Sequence, residues 1–196
     1  MLTKLLIWTD MKTKWSFIAV ALTALLSVTP AAVQAKDWAK VPLVEVKKAA
    51  EQGDAAAQSF LGSLYRYSLP MDYKQALHWY TKAAEQGHAD GQFGLGNMYR
   101  LGDGVPRDYK QALHWYTKAA EQGVAMAQYF LARMYRQANG VPRDYKQAYA
   151  WYSAAAANGY ESALSSRDDM ANLLSPDDLI SAQKLAAEYF EKSQPK

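Results

Sequence analysis

The chain has 196 residues, no cysteine, and a formal net charge of +3 from 22 basic and 19 acidic side chains. Without cysteine there is no disulfide framework and no thiol nucleophile, so the fold must rest on its hydrophobic core. The charges are few in excess and evenly mixed, which implies no basic face and argues against nucleic acid as a partner.

Residues 1–35 read as a secretory signal peptide. Lys4, Lys12 and Lys14 give a positive start, Phe17 to Val28 is apolar, and Val33-Gln34-Ala35 supplies small residues for cleavage between Ala35 and Lys36. The apolar run falls short of the roughly 20 residues of a membrane span, so no stable anchor is expected after cleavage. Met1 and Met11 are both possible starts, Met11 giving the more compact signal. Removing residues 1–35 leaves 161 residues with 19 basic and 18 acidic side chains, a net charge of +1. The expected location is periplasmic or secreted.

The remainder repeats itself. Asp72 to Gly87 reads DYKQALHWYTKAAEQG, Asp108 to Gly123 is identical, and Asp144 to Gly159 reads DYKQAYAWYSAAAANG. Both intervals are 36 residues, and Lys47 to Gly53 matches the end of the same unit. This predicts a lead-in with a half-repeat over 36–53, repeats over 54–87, 88–123 and 124–159, and a divergent closing helix pair over 160–196.

Each unit holds two helical stretches. The first runs Ala55–Arg66, Ala89–Leu101 and Ala125–Gln137, the second Tyr73–Gln86, Tyr109–Gln122 and Tyr145–Asn158. Asp72, Asp108 and Asp144 are N-caps, with Gln75, Gln111 and Gln147 as capping-box partners. Gly87, Gly123 and Gly159 suit left-handed helix ends. Ala76, Trp79, Tyr80 and Ala83 lie at helical spacing and form a core face that a single helix pair cannot bury, whereas stacked pairs can. The first unit lacks two loop residues near Tyr67-Ser68-Leu69, so its connection is tighter. Tyr160 to Leu174 keeps a helical length, and Ser175-Pro176-Asp177-Asp178 opens a closing helix that runs to Lys192.

The pattern Ala-x-x-Gln-x-x-Leu-Gly-x-Met-Tyr, then Gly-Val-x-x-Asp-Tyr-x-x-Ala-x-x-Trp-Tyr-x-x-Ala-Ala and a final Gly, runs through Ala89 to Gly123. It resembles the Sel1-like repeat family, a relative of the tetratricopeptide class, over residues 46–192. The resemblance implies an all-α solenoid of antiparallel helix pairs in a right-handed superhelix, with the first helices lining the concave side. It implies adaptor or scaffold work, commonly in the bacterial envelope for exported members, and no single activity or cofactor.

Comparing the three copies separates fold from task. Along the first helices the changing positions are Ala56/Asp90/Met126, Ser59/Phe93/Tyr129 and Ser63/Asn97/Arg133, which share one face. Arg66, Arg100 and Arg136 continue it unchanged. The stripe Asp90, Phe93, Asn97, Arg100, Met126, Tyr129, Arg133 and Arg136 is the expected docking face for a protein or peptide in the envelope, since aromatic, Met and Arg side chains are enriched at interfaces. The plainer alternative is that Phe93 and Tyr129 pack between helices while the arginines stay solvated. Binding of peptidoglycan or another glycan on exposed tyrosines is a second functional reading.

Catalysis and metal binding find little support. His78 and His114 occupy equivalent positions in separated helices, too far apart to share an ion, and the third copy has Ala150 there. His88 stands at a helix start. Ser181-Ala-Gln-Lys184 matches the Ser-x-x-Lys of penicillin-recognising enzymes, and a cysteine-rich branch of the resembled family is associated with penicillin binding. Here the cysteines and the companion motifs are absent. Asp168, Asp169, Asp177 and Asp178 are adjacent pairs that do not face each other on a helix, and Asp177 and Asp178 suit a helix start. The chain is therefore read as non-catalytic and free of metal.

Overall fold

The computed structural model describes residues 36–68 and 70–194. The signal-peptide reading, including Ala35, lies outside these residues. The chain divides into a unit ending at Ala39 and a unit from Lys40 onward, and the helices belong to the second. After a 3-10 turn at Trp38–Lys40 come α1 (Leu43–Glu51), α2 (Ala55–Tyr67), α3 (Tyr73–Glu85), α4 (Ala89–Leu101), α5 (Tyr109–Glu121), α6 (Ala125–Gln137), α7 (Tyr145–Ala157), α8 (Ala163–Ala171) and α9 (Pro176–Lys192). Among the described residues there is no strand, and no helix is long and apolar enough to cross a membrane.

The repeat is an all-α solenoid of helix pairs, as its sequence predicts. From α1 to α8 each helix packs on its chain neighbours, α2 on α3, α4 on α5 and α6 on α7 most extensively. The interfaces use small residues. Ala76, Ala83, Ala112, Ala119, Ala148 and Ala155 are fully buried, with Leu61, Leu95 and Leu131 opposite them. Tyr80 and Tyr116 fill the remaining space, and the room they need comes from glycine: a Cβ on Gly96 would lie 2.7 Å from the Tyr116 ring. Where the first helices approach each other, α2 lies directly against α4, beside the small buried Ser59. Phe93 replaces that serine one unit on. Accordingly α4 and α6 show few close backbone approaches and meet through Phe93 and Phe130, whose ring centres are 6.1 Å apart.

The second helices start and stop as expected, with one correction. The Asp72, Asp108 and Asp144 carboxylates accept from the N–H of Gln75, Gln111 and Gln147 at 3.0, 3.1 and 3.0 Å. The reciprocal half of a capping box is replaced. The N–H of each aspartate donates instead to the carbonyl of Tyr65, Tyr99 or Tyr135 in the preceding helix, at 2.8, 2.9 and 3.1 Å. This bond ties the two helices of a unit together and removes the donor that the glutamine would have satisfied. At the other end, the N–H groups of His88, Val124 and Tyr160 reach the carbonyls of Ala83, Ala119 and Ala155, while those of Gly87, Gly123 and Gly159 reach Ala84, Ala120 and Ala156. That pairing is a Schellman ending, and its glycines have φ of 84–95°.

A buried amide ladder joins unit to unit. Gln58, Gln92 and Gln128 each donate from Nε2 to the last-turn carbonyl of the preceding second helix, at Ala50 (2.9 Å), Ala84 (3.4 Å) and Ala120 (3.0 Å). Their Oε1 atoms accept from Gln86, Gln122 and Asn158 at 2.6, 2.7 and 3.0 Å. Each of these helix-end carbonyls thus takes a second bond, beside the one from the N–H of Gly53, Gly87 or Gly123.

The expected closing pair differs in two respects: α8 and α9 each pack on α7 with little contact between them, and α8 is short. α8 covers only Ala163–Ala171, against a predicted helical stretch from Tyr160 to Leu174. Ser162 makes no capping bond from its side chain, and Leu173 and Leu174 turn through bonds to Met170 and Ala171. α9 then packs on α7: Tyr189 stacks on Trp151 with centroids 3.9 Å apart, and its hydroxyl donates to Gln147 at 2.7 Å.

Candidate functional site

The face formed by α4, α6 and the loops that follow them carries most of the expected site residues. Asp90 and Met126 are exposed near the helix starts. Phe93 is half-buried against Tyr116 and Phe130. Tyr129 packs among Phe130, Tyr152 and Tyr160, with ring centres 4.8–5.7 Å apart. Asn97 is buried, and its Oδ1 accepts from the Tyr116 hydroxyl at 2.9 Å and from Arg100 at 3.1 Å. Arg100 donates from Nε to the Tyr116 oxygen at 2.8 Å and lies over the Phe130 ring. Burial pushes the Tyr116 phenol up to about 12, the Arg100 guanidinium opposing part of that rise.

The three units treat their shared arginine differently. Arg66 is buried and reaches into the next unit, where both its Nε and an Nη bind Asp103. Arg100 serves its own unit through Tyr116. Arg136 is exposed, lies 3.8 Å from Asp169, and stands beside the buried Tyr152 hydroxyl, where its charge opposes the upward push of burial on that phenol. Arg133 lies over Tyr129 and Phe130, at 6.0 and 5.6 Å from the ring centres.

Two depressions open on this face. The smaller, of about 230 Å³, is lined by Arg100, Arg107, Tyr109, Arg133, Gln137 and Asn139 over a floor of Leu101, Phe130 and Met134. The larger and shallower, of about 780 Å³, is lined by Arg136, Arg143, Tyr145, Arg133, Gln137, Tyr129 and Leu173. They are successive copies of one arrangement: Arg100, Arg107 and Tyr109 recur 36 residues later as Arg136, Arg143 and Tyr145. Neither is lined by a carboxylate.

The overall balance of charge predicted no basic face; the fold makes one. Aspartates are spent at helix starts, as Asp72, Asp108 and Asp144 are, or paired away, as Asp103 is with Arg66. The arginines of the second and third units converge on what remains. Arg107, Arg143, Tyr109 and Tyr145 were not among the expected site residues, which came from the first helices alone. The signal was nonetheless present, as Arg-x6-Arg-x-Tyr occurs twice at the repeat spacing.

The other motifs sit apart from this face. His78 and His114 are exposed beside Trp79 and Trp115. His88 caps α4, its Nδ1 accepting from Gly91 at 3.3 Å. The Ser181 hydroxyl donates to the Asp177 carbonyl within its own helix.

The Sel1 repeat family model matches three times, at residues 55–88, 89–124 and 125–160. The chain belongs to the Sel1 repeat family. Sel1 repeats are protein-interaction modules, so a protein partner fits this fold. Among solved structures, it is similar to a protective antigen of uropathogenic Escherichia coli strains that displays an SLR fold. The two share 40% identity and a TM-score of 0.74 over 77% of this chain, which spans a third (33%) of that antigen. A Sel1 repeat protein from Oxalobacter formigenes is 33% identical with a TM-score of 0.61, over 63% of this chain and 96% of that one. Cysteine-rich protein B of Helicobacter pylori, at 22% identity and a TM-score of 0.52 over 63% of this chain and 96% of that one, shares the fold. No curated protein sequence matches this Sel1 repeat chain.

Proposed function

We propose that this Sel1 repeat chain is an exported, non-catalytic module of the periplasm or cell envelope that holds a protein segment on the face of its first helices. The observation that carries the reading is the pair of arginine-rimmed depressions that the second and third units form on that face. The second helices, identical in two units, serve the stack. The half-buried rings of Phe93, Phe130 and Tyr129 give the face a rigid aromatic base, and arginines stand over it. Rigid aromatics beside Arg are the groups that anchor partners at low entropic cost. Export rests on residues 1–35.

The test must spare the rings, because Phe93 and Tyr129 also pack the stack. Tagged protein carrying Arg133→Ala and Arg143→Ala is compared with the intact chain and with a Lys82→Ala, Lys118→Ala control in capture from an envelope fraction. The partner is lost with the arginine pair and retained by the control. Equal capture by all three would remove the face from consideration. Turnover of nitrocefin by the purified protein would overturn the non-catalytic part.

A further inference from the structure

We infer that the paired depressions recognise an acidic peptide segment: an extended stretch presenting carboxylates three or more residues apart and at least one apolar side chain. The inference rests on the binding function proposed above and adds the chemistry of the occupant. Five arginines line the two depressions. Among the described residues, Arg66, Arg136 and Arg167 are the arginines in ion pairs, so Arg100, Arg107, Arg133 and Arg143 have no carboxylate counterion. Like charges gathered around neighbouring depressions repel each other and raise the local attraction for an anion. Nothing in their packing calls for so many. Arg100 is committed to Tyr116 and Asn97, whereas Arg133 and Arg107 lie over rings that position a guanidinium without neutralising it.

The shape narrows the class. The smaller depression has room for one or two side chains and rests on Leu101, Phe130 and Met134. A uniformly charged polymer has nothing to place on that floor, whereas a peptide can set an apolar side chain there and carboxylates against the rim. Planar guanidinium forks match carboxylates with two parallel hydrogen bonds. The two depressions are one repeat apart and share Arg133 and Gln137. Directly packed helices lie about 8–10 Å apart and α4 and α6 approach less closely, so an extended chain needs three or more residues to cross from one depression to the next. In the first unit the position equivalent to Arg107 is Met71, and Arg66 is already paired with Asp103, so the acidic register begins at the second unit.

The test is fluorescence anisotropy with the full chain and a fluorescein-labelled peptide of Asp, Glu and Ser around a central Leu, beside counterparts in which the acids are Lys or Gln. The acidic peptide binds at least about tenfold tighter than either counterpart at low salt, and its affinity falls as salt screens the arginines. Arg133→Glu and Arg143→Glu each weaken it by about tenfold while leaving the thermal unfolding curve in place. Arg143, exposed in a loop, keeps the test intact if the Arg133 variant misfolds. Equal affinity for all three peptides, indifference to both charge reversals, or no binding of the acidic peptide would overturn the inference. If the Gln or Lys peptide binds this face instead, the proposed function survives without it. Displacement of the acidic peptide by inorganic polyphosphate at matched charge would assign the arginines to a polyanion and overturn it too.

Discussion

At the scale of single residues, Tyr116 is where fold and candidate site meet. Its ring fills the space left by Gly96, and its hydroxyl both donates to Asn97 and accepts from Arg100. Tyr116→Phe keeps the ring and leaves a buried Asn97 oxygen and a guanidinium each short of a partner. Urea unfolding should report a loss of about 1–2 kcal/mol. The pH dependence follows from the same environment. The folded-state phenol is raised to about 12, above the ordinary value of 10.0, so folding favours its neutral form. That contribution is complete below pH 10 and is lost between pH 10 and 12. Unfolding midpoints in urea at stepped pH should fall across this window, and fall less steeply in the Tyr116→Phe protein.

At the scale of elements, the amide ladder and the loops decide how units join. Gln128 is fully buried and binds the Ala120 carbonyl and the Asn158 amide. Gln128→Leu matches its size but removes one bond from each, leaving those to Gly123 and Ser193, and should cost about 0.5–1.5 kcal/mol by denaturant unfolding. The loop after α6 makes the opposite prediction. Ala138 has φ of 60° where the second unit has Gly102 at 82°, a backbone that glycine adopts without strain. Ala138→Gly should leave stability unchanged or raise it by up to about 1 kcal/mol, read from the thermal midpoint. Most of these joints were legible in the chain, because Asp72, Gly87 and their copies recur at one spacing with one physical role. The capping glutamines were misread because a local motif cannot show that the carbonyl of Tyr65, Tyr99 or Tyr135 takes the same N–H. The short α8 escaped notice because the closing pair has no second copy to compare.

At the scale of the molecule, a near-neutral chain gathers five arginines around two neighbouring depressions. Stacking places equivalent residues of successive units side by side, so an arginine repeated 36 residues apart becomes a row. Net charge cannot reveal this, and a comparison confined to the first helices finds Arg100, Arg133 and Arg136 while missing Arg107 and Arg143 in the loops. The stripe Phe93 to Tyr129 proves to be mostly base, with the reachable chemistry above it. Gln137 is exposed at the join of the two depressions, and His114 is exposed on a second helix. The most direct measurement is photo-crosslinking in intact cells from a reactive amino acid placed at Gln137, with His114 as the matched position. A discrete adduct to one protein from Gln137, absent from His114, is the predicted result. Adducts of equal yield from both positions, or from His114 alone, would contradict a partner held on the arginine face.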